Sequence, residues 1–278
     1  MQLSLVSMSI RFLFLGEIVG RPGIQSIRSG ISGLKEKYNP DYIVANAEGT
    51  TNGFGLGRQH SIQLFKLGID LLTGGEKLFY KADLVEVLPK SANILRPANL
   101  PPASPGRGYR LVTLKEKRIA IVNLLSTSTF RFSVQNPLQF MDYLCENLRK
   151  ETDSILIQFH SGTTAETATL AHYLDGRVSA IIGTHSKALS ADAHIMDRGT
   201  AFITDNGRCG SMMSAGGFNP EFEIKKLMTA LPERSHEAWD DCELQGAFVE
   251  ISEETGLAER IEGFREKVDV KRPEGDVR

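Results

Sequence analysis

Five short runs of apolar and β-branched residues set the strongest limit on what this chain can become: FLFLGEIV (12–19), DYIVANAE (41–48), IDLLTGGE (69–76), SILIQFH (154–160) and VSAIIGTHS (178–186). Each is too short for a free-standing helix. Runs that stay apolar without alternation suit strands buried on both faces. Amphipathic stretches at 22–37, 137–150 and 163–174 lie between them, and Pro22 fits the first turn of a helix, where a missing donor costs nothing. Two further segments read as hairpins: 108–125, turning at TLKEKRI, and 194–205, turning at 197–199. Helices alternating with some strands and hairpins elsewhere favour a layered α/β sandwich over a simple doubly wound sheet.

A chain of 278 residues fits one large domain. Its expected limits are 10–266, with 1–9 as an N-terminal extension and 267–278, charged and poor in apolar residues, as a flexible tail. The loop ILRPANLPPASPGRG (94–108) holds four prolines and reads as an ordered surface crossing. Several function classes are disfavoured. A net charge of -2 with no Lys/Arg run argues against an extended nucleic-acid surface. No apolar segment is long enough for a bilayer, and the N-terminus lacks the basic start of a leader, with Arg11 breaking its apolar run. Three scattered cysteines, Cys145, Cys209 and Cys242, match neither a disulfide framework nor a structural zinc site and point to a reducing cytoplasm.

The chemistry gathers at the strand ends, where ligand-handling groups of open α/β folds collect. Glu17, Glu48, Glu76 with Lys77, His160, and His185 with Lys187 all fall there. Carboxylates and imidazoles are the usual ligands of zinc, manganese and iron; a polar rim of Glu–Lys pairs is the bland alternative, and spacing does not separate the two. If SAIIGTHSK (179–187) stays extended, strand alternation places His185 and Lys187 on one side. The glycines of TNGFGLG (51–57) lack the lysine and hydroxyl residue of a P-loop and read as a tight turn. His60, His172, His194 and His236 read as surface or structural residues.

Seven ordered blocks, FLFLGEIVGRPG, YIVANAEGTTNGFGL, GIDLLTGGEK, ILRPANLP, ILIQFHSGTTAE, DGRVSAIIGTHSKALSADAHIM and GTAFITDNG, resemble those of the bacterial YmdB-type phosphodiesterases, a branch of the calcineurin-like metallophosphoesterases. The resemblance implies a four-layer metallophosphoesterase sandwich, two mixed sheets flanked by helices. It also implies a homo-oligomer with a two-metal centre that hydrolyses phosphodiesters, cyclic nucleotides among them. Residue by residue, the pattern is altered. Glu17 stands for the aspartate of the family's GDIVG; Glu48 and Gly49 stand for the Glu and Asn of NGEN. Glu76 and Lys77 replace the asparagine and the leaving-group histidine of GNH. His160 keeps the histidine of DFHAE, while Gln158 and Gly162 replace its acids; His185 and Lys187 stand for the two histidines of GTHTH.

By this resemblance the first metal position (Glu17, Glu48, Gly49, Lys187) is disabled, because Gly49 has no donor and an ammonium has no lone pair. The second position (Glu48, Glu76, His160, His185) keeps four donors, enough for one manganese, iron or zinc ion. An ion-free pocket is the competing expectation, with Lys77 and Lys187 neutralising Glu17, Glu48 and Glu76. Lys77 falls in the catalytic acid's place. Arg96 and Asn99 of the RPAN block are candidates for touching a phosphate or for bracing their loop. The expected activity is phosphodiester hydrolysis that is weak, altered or lost, on a small phosphodiester or nucleotide; the alternative is a non-catalytic nucleotide-binding or protein-interaction scaffold.

Overall fold

A computed structural model describes residues 9–128 and 134–273. The expected extension falls outside them apart from Ser9, as does the end of the expected tail, 274–278. In chain order the first elements are β1 Ser9–Leu15, β2 Glu17–Ile18, α1 Gly20–Tyr38, β3 Tyr42–Asn46, α2 Arg58–Lys66 and β4 Leu71–Thr73. Next come the short α3 Ala82–Val85, β5 Ile94–Leu95, β6 Tyr109–Leu114, β7 Lys117–Leu125, α4 Pro137–Leu148, β8 Ser154–His160, α5 Thr164–Leu174 and β9 Ala180–Thr184. The last are β10 His194–Ile195, β11 Ala201–Ile203, β12 Arg208–Ser211, α6 Pro220–Thr229, β13 Cys242–Ser252 and β14 Ala258–Lys267.

Both sheets are mixed. One runs β2-β12-β13-β1-β3-β4-β5, with β14 on the other edge of β13; the second runs β10-β11-β9-β8-β7-β6. Strands β1, β3, β4 and β5 are mutually parallel, as are β7, β8, β9 and β11; antiparallel hairpins close the flanks. Alternation along β1 explains the layering. Ile10, Phe12 and Phe14 point into an apolar core shared with Ile119, Ile121, Leu156 and Ile182 of the second sheet, while Leu13 and Leu15 meet Ile24, Ile27, Ile31 and Leu34 of α1. On the far face, Val122, Ile155, Ile157 and Ile181 meet Met141, Leu144, Leu170 and Leu174 of α4 and α5. Helix, sheet, sheet, helix is therefore the order of layers, the four-layer sandwich of the metallophosphoesterases.

Local signals explain the element ends. Asn39, left-handed at φ 42, stops α1 and returns its N–H to Lys35 O. Asn136 caps α4 ahead of Pro137, and Thr163 caps α5. The β6–β7 turn uses two positive-φ residues, Lys115 and Glu116, the handedness that a two-residue hairpin demands. The chain stays tied down beyond the tail's expected start: β14 runs to Lys267, Val268 N donates to Cys242 O, and Ser29 Oγ donates to Asp269 O.

Candidate functional site

The loops that leave β1, β3, β4, β8 and β9 converge on one polar centre between the sheets. Glu17, Glu48 and His160 are almost fully buried there. Three donors come together: Glu76, His160 and His185 each offer a ligand atom within 4.8 Å of the others. His160 Nε2 lies 2.8 Å from Glu76 Oε2 and 3.2 Å from His185 Nδ1, while its Nδ1 is 3.0 Å from Thr184 Oγ1. The Thr184 contact fixes the ring, as the outer partner of a ligating imidazole does. Gly75 is needed for the approach, since a Cβ there would fall 2.4 Å from His160 Cδ2.

The electrostatics follow from burial and pairing. Burial opposes charge on both Glu76 and His160, yet their contact outweighs it, holding the Glu76 carboxyl below its usual range and raising His160. His185 goes the other way: burial and the adjacent His160 charge lower it to about 4, leaving a neutral imidazole with a lone pair. Burial would also lower Lys77, but Glu76, 2.9 Å from its Nζ, reverses the sign and raises it.

Glu48, the expected fourth donor, is not brought into that cluster. Its two carboxylate oxygens accept the backbone N–H groups of Gly75 and Lys77, and burial raises its pKa. Here it is the pin of the GGEK turn. Across the centre, Lys187 Nζ stands 3.1 Å from Glu17 Oε1. The contact is a charge pair without hydrogen-bond geometry, because neither Glu17 oxygen accepts a hydrogen bond among the described residues. Gly49 belongs to the same unit: a Cβ at 49 would lie 2.6 Å from Glu17 Oε1. The Glu17 carboxylate thus fills the room that a side chain at 49 would occupy.

The alternation expected for His185 and Lys187 does not hold. β9 ends at Thr184, and both residues turn into positive φ, 112 and 60, a conformation that β-carbon-bearing residues adopt only when their surroundings enforce it. Asp205 accepts the Ser186 N–H at 2.7 Å and Arg208 Nη1 donates to Lys187 O at 2.6 Å. This clamp sends His185 toward His160 and Lys187 toward Glu17, one to each side of the centre. Neither Asp205 nor Arg208 stands out in the sequence as part of the site; the fixed spacing of TDNGR after β11 was the available signal.

The hydrogen bonds of Arg96 and Asn99 go to backbone, while Arg96 Nε is buried without one among the described residues. Arg96 Nη1 donates to Pro97 O and Ala98 O; Asn99 Nδ2 donates to Leu125 O and Gln135 O, and its Oδ1 accepts from Leu125 N. Both brace the loop after β5. A separate cleft of about 860 Å³, lined by Arg21, Asn52, Phe222, His236 and Trp239 among others, contains none of the strand-end residues.

Whether metal suits these residues is decided by the donor sets. The first position does not fit: an ammonium sits against Glu17, both Glu48 oxygens are taken by backbone amides, and Gly49 offers no side-chain donor. The second fits, with one carboxylate and two imidazoles already convergent.

Two mixed sheets back to back, with carboxylate and imidazole groups at their strand ends, define a metallophosphoesterase-type sandwich. The YmdB-like protein family matches residues 13–264, and the chain belongs to that family. A 2′,3′-cyclic-nucleotide 2′-phosphodiesterase of Bacillus subtilis is 35% identical over 91% of this chain and 96% of its own length. A putative phosphatase/phosphodiesterase of Mycoplasma pneumoniae is 34% identical over 92% and 93%. Among solved structures, a phosphatase from Mycoplasma pneumoniae superposes with TM-score 0.88 at 33% identity, covering 94% of each chain. A Thermus thermophilus protein superposes at 0.86 and 27%, covering 94% of this chain and all of its own. No helix among the described residues is long and apolar enough to cross a membrane.

Proposed function

We propose that this protein binds small phosphodiesters or nucleotides at a centre reduced from two metal positions to one, and that its hydrolytic rate is far below that of a two-metal enzyme. The observation that carries this reading is the Lys187–Glu17 pair at 3.1 Å beside Gly49, which puts a fixed ammonium where a first ion would need ligands. Glu76, His160 and His185 would hold the remaining manganese, iron or zinc ion. When bound, such an ion supplies Lewis-acid polarisation of a phosphoryl oxygen.

The chain's own groups contribute less than a full hydrolytic set. Lys77 stands where a leaving-group acid is needed, but Glu76 stabilises its charged form, so it gives up its proton reluctantly near neutral pH. It serves instead, with Lys187, as a cation for an anionic substrate. The relative's printed substrate, a 2′,3′-cyclic nucleotide, is the natural probe. Purified protein loaded with manganese, iron or zinc is expected to hydrolyse it at least about 10²-fold more slowly than the Bacillus subtilis relative. Comparable turnover would overturn the reading.

A non-catalytic scaffold is the second reading, favoured by the way Lys77 and His160 balance the charge of Glu76, and Lys187 that of Glu17. Stoichiometric metal that disappears in His185→Ala excludes it. The three buried free thiols fit a reducing cytoplasm. Self-association is part of the same proposal: no residue of α6 is buried, and Ile224, Leu227, Met228 and nearby Leu231 are exposed.

A further inference from the structure

One motif is unused by the metal cluster: the TNGFGLG loop that follows Glu48. Gly53 and Gly55 both take positive φ, 78 and 80, and the turn is tied by Gly55 N to Glu48 O, Thr51 N to Gly55 O and Phe54 N to Thr51 O. This holds Phe54 at a fixed loop tip, 41% exposed, on the kind of element that carries binding residues. Phe54 is stacked on Phe218, with centroids 6.0 Å apart and planes 23° from parallel; Phe218 is itself buried and its edge packs against Gly53. A lysine ammonium lies over each ring. Lys77 Nζ is 5.8 Å from the Phe54 centroid, and Lys187 Nζ is 5.6 Å from that of Phe218. Both ammonium groups come from the centre, each with one carboxylate partner and further donors to offer.

Cations paired with a supported, exposed aromatic ring answer the two chemical parts of a nucleotide. Phosphate needs positive donors, and every base has a π-face that stacks on an aromatic side chain. We propose that Phe54, backed by Phe218, is a base-stacking subsite that works with Lys77 and Lys187 as phosphate partners, so that the site prefers nucleotides over phosphodiesters lacking a base. This inference rests on the proposed phosphodiester-binding function and adds its selectivity.

Calorimetric titration of the full chain with 2′,3′-cyclic AMP and with ribose cyclic phosphate lacking the base tests it. The nucleotide is expected to bind about tenfold tighter or better. Phe54→Leu, which keeps apolar volume on an exposed tip, should remove most of that advantage while leaving the base-less ligand unchanged, and Phe54→Trp should retain it. Equal affinity of the wild-type protein for both ligands, or an equal loss for both in Phe54→Leu, overturns the subsite and leaves the phosphodiester-binding reading standing. Failure to bind either ligand overturns both.

Discussion

The two halves of the centre differ in what neutralises their carboxylates. Around Glu76 the partners are His160, His185 and Lys77, and two of the three are imidazoles with the geometry of ligands. Around Glu17 the partner is Lys187, and the neighbouring position 49 has no side chain at all. A carboxylate facing imidazoles keeps the option of an ion, because a neutral imidazole such as His185 has a lone pair. A carboxylate facing an ammonium has already received its positive charge, and adding an ion would require that ammonium to leave. The lesson is that Glu17, Gly49 and Lys187 form one unit: a buried acid, the space to hold it, and a cation to balance it.

The largest expected effect comes from undoing that unit. Glu17→Asp, Gly49→Asn and Lys187→His combined should open a second metal position and raise cyclic-nucleotide hydrolysis by about 10²-fold or more, measured as turnover with manganese; no gain would show that the two halves do not differ as described. Breaking the pair from one side comes next. Lys187→Met leaves Glu17, 1% exposed, without its counter-charge, and should cost about 3 kcal/mol in urea unfolding with chelator present, whereas the double change with Glu17→Gln should cost much less. Equal losses in the single and double variants would remove the pairing argument.

A smaller effect should follow from Gly75→Ala on the other half, about 1–3 kcal/mol in urea unfolding, because the new methyl meets the His160 ring; displacement of that ring should also weaken metal binding, read by titration with manganese. Smallest for the ligand is Asn99→Ala. Its side chain bonds only to backbone groups, so stability should drop with little change in nucleotide affinity, and an affinity loss of tenfold in a folded variant would restore it as a substrate contact.

Much of the fold was legible because burial on both faces writes itself as unbroken apolar runs: β1, β3, β8 and β9 and helices α1, α4 and α5 fall where those runs and the amphipathic stretches lie. The hairpin β13–β14 was not read, and its charged positions explain why. Glu243 is buried within β13 but is held by Arg265 from β14 and by Gln245, a cross-strand pairing that no linear pattern reveals. In the site, strand-end position drew attention to Glu17, Glu76, His160, His185 and Lys187, side chains that the fold brings close to one another. It could not anticipate that backbone amides would capture Glu48, or that Asp205 and Arg208 would twist the loop after β9 and part His185 from Lys187. Both outcomes depend on hydrogen bonds between segments distant in sequence.

The asymmetry between the two halves is tested most directly by counting ions. Metal analysis of the 278-residue chain after saturation with manganese, iron or zinc and removal of excess should give one ion per chain, and none in His185→Ala. Two ions per chain in the unaltered protein, or none, would contradict a centre in which Lys187 closes one position and Glu76, His160 and His185 keep the other.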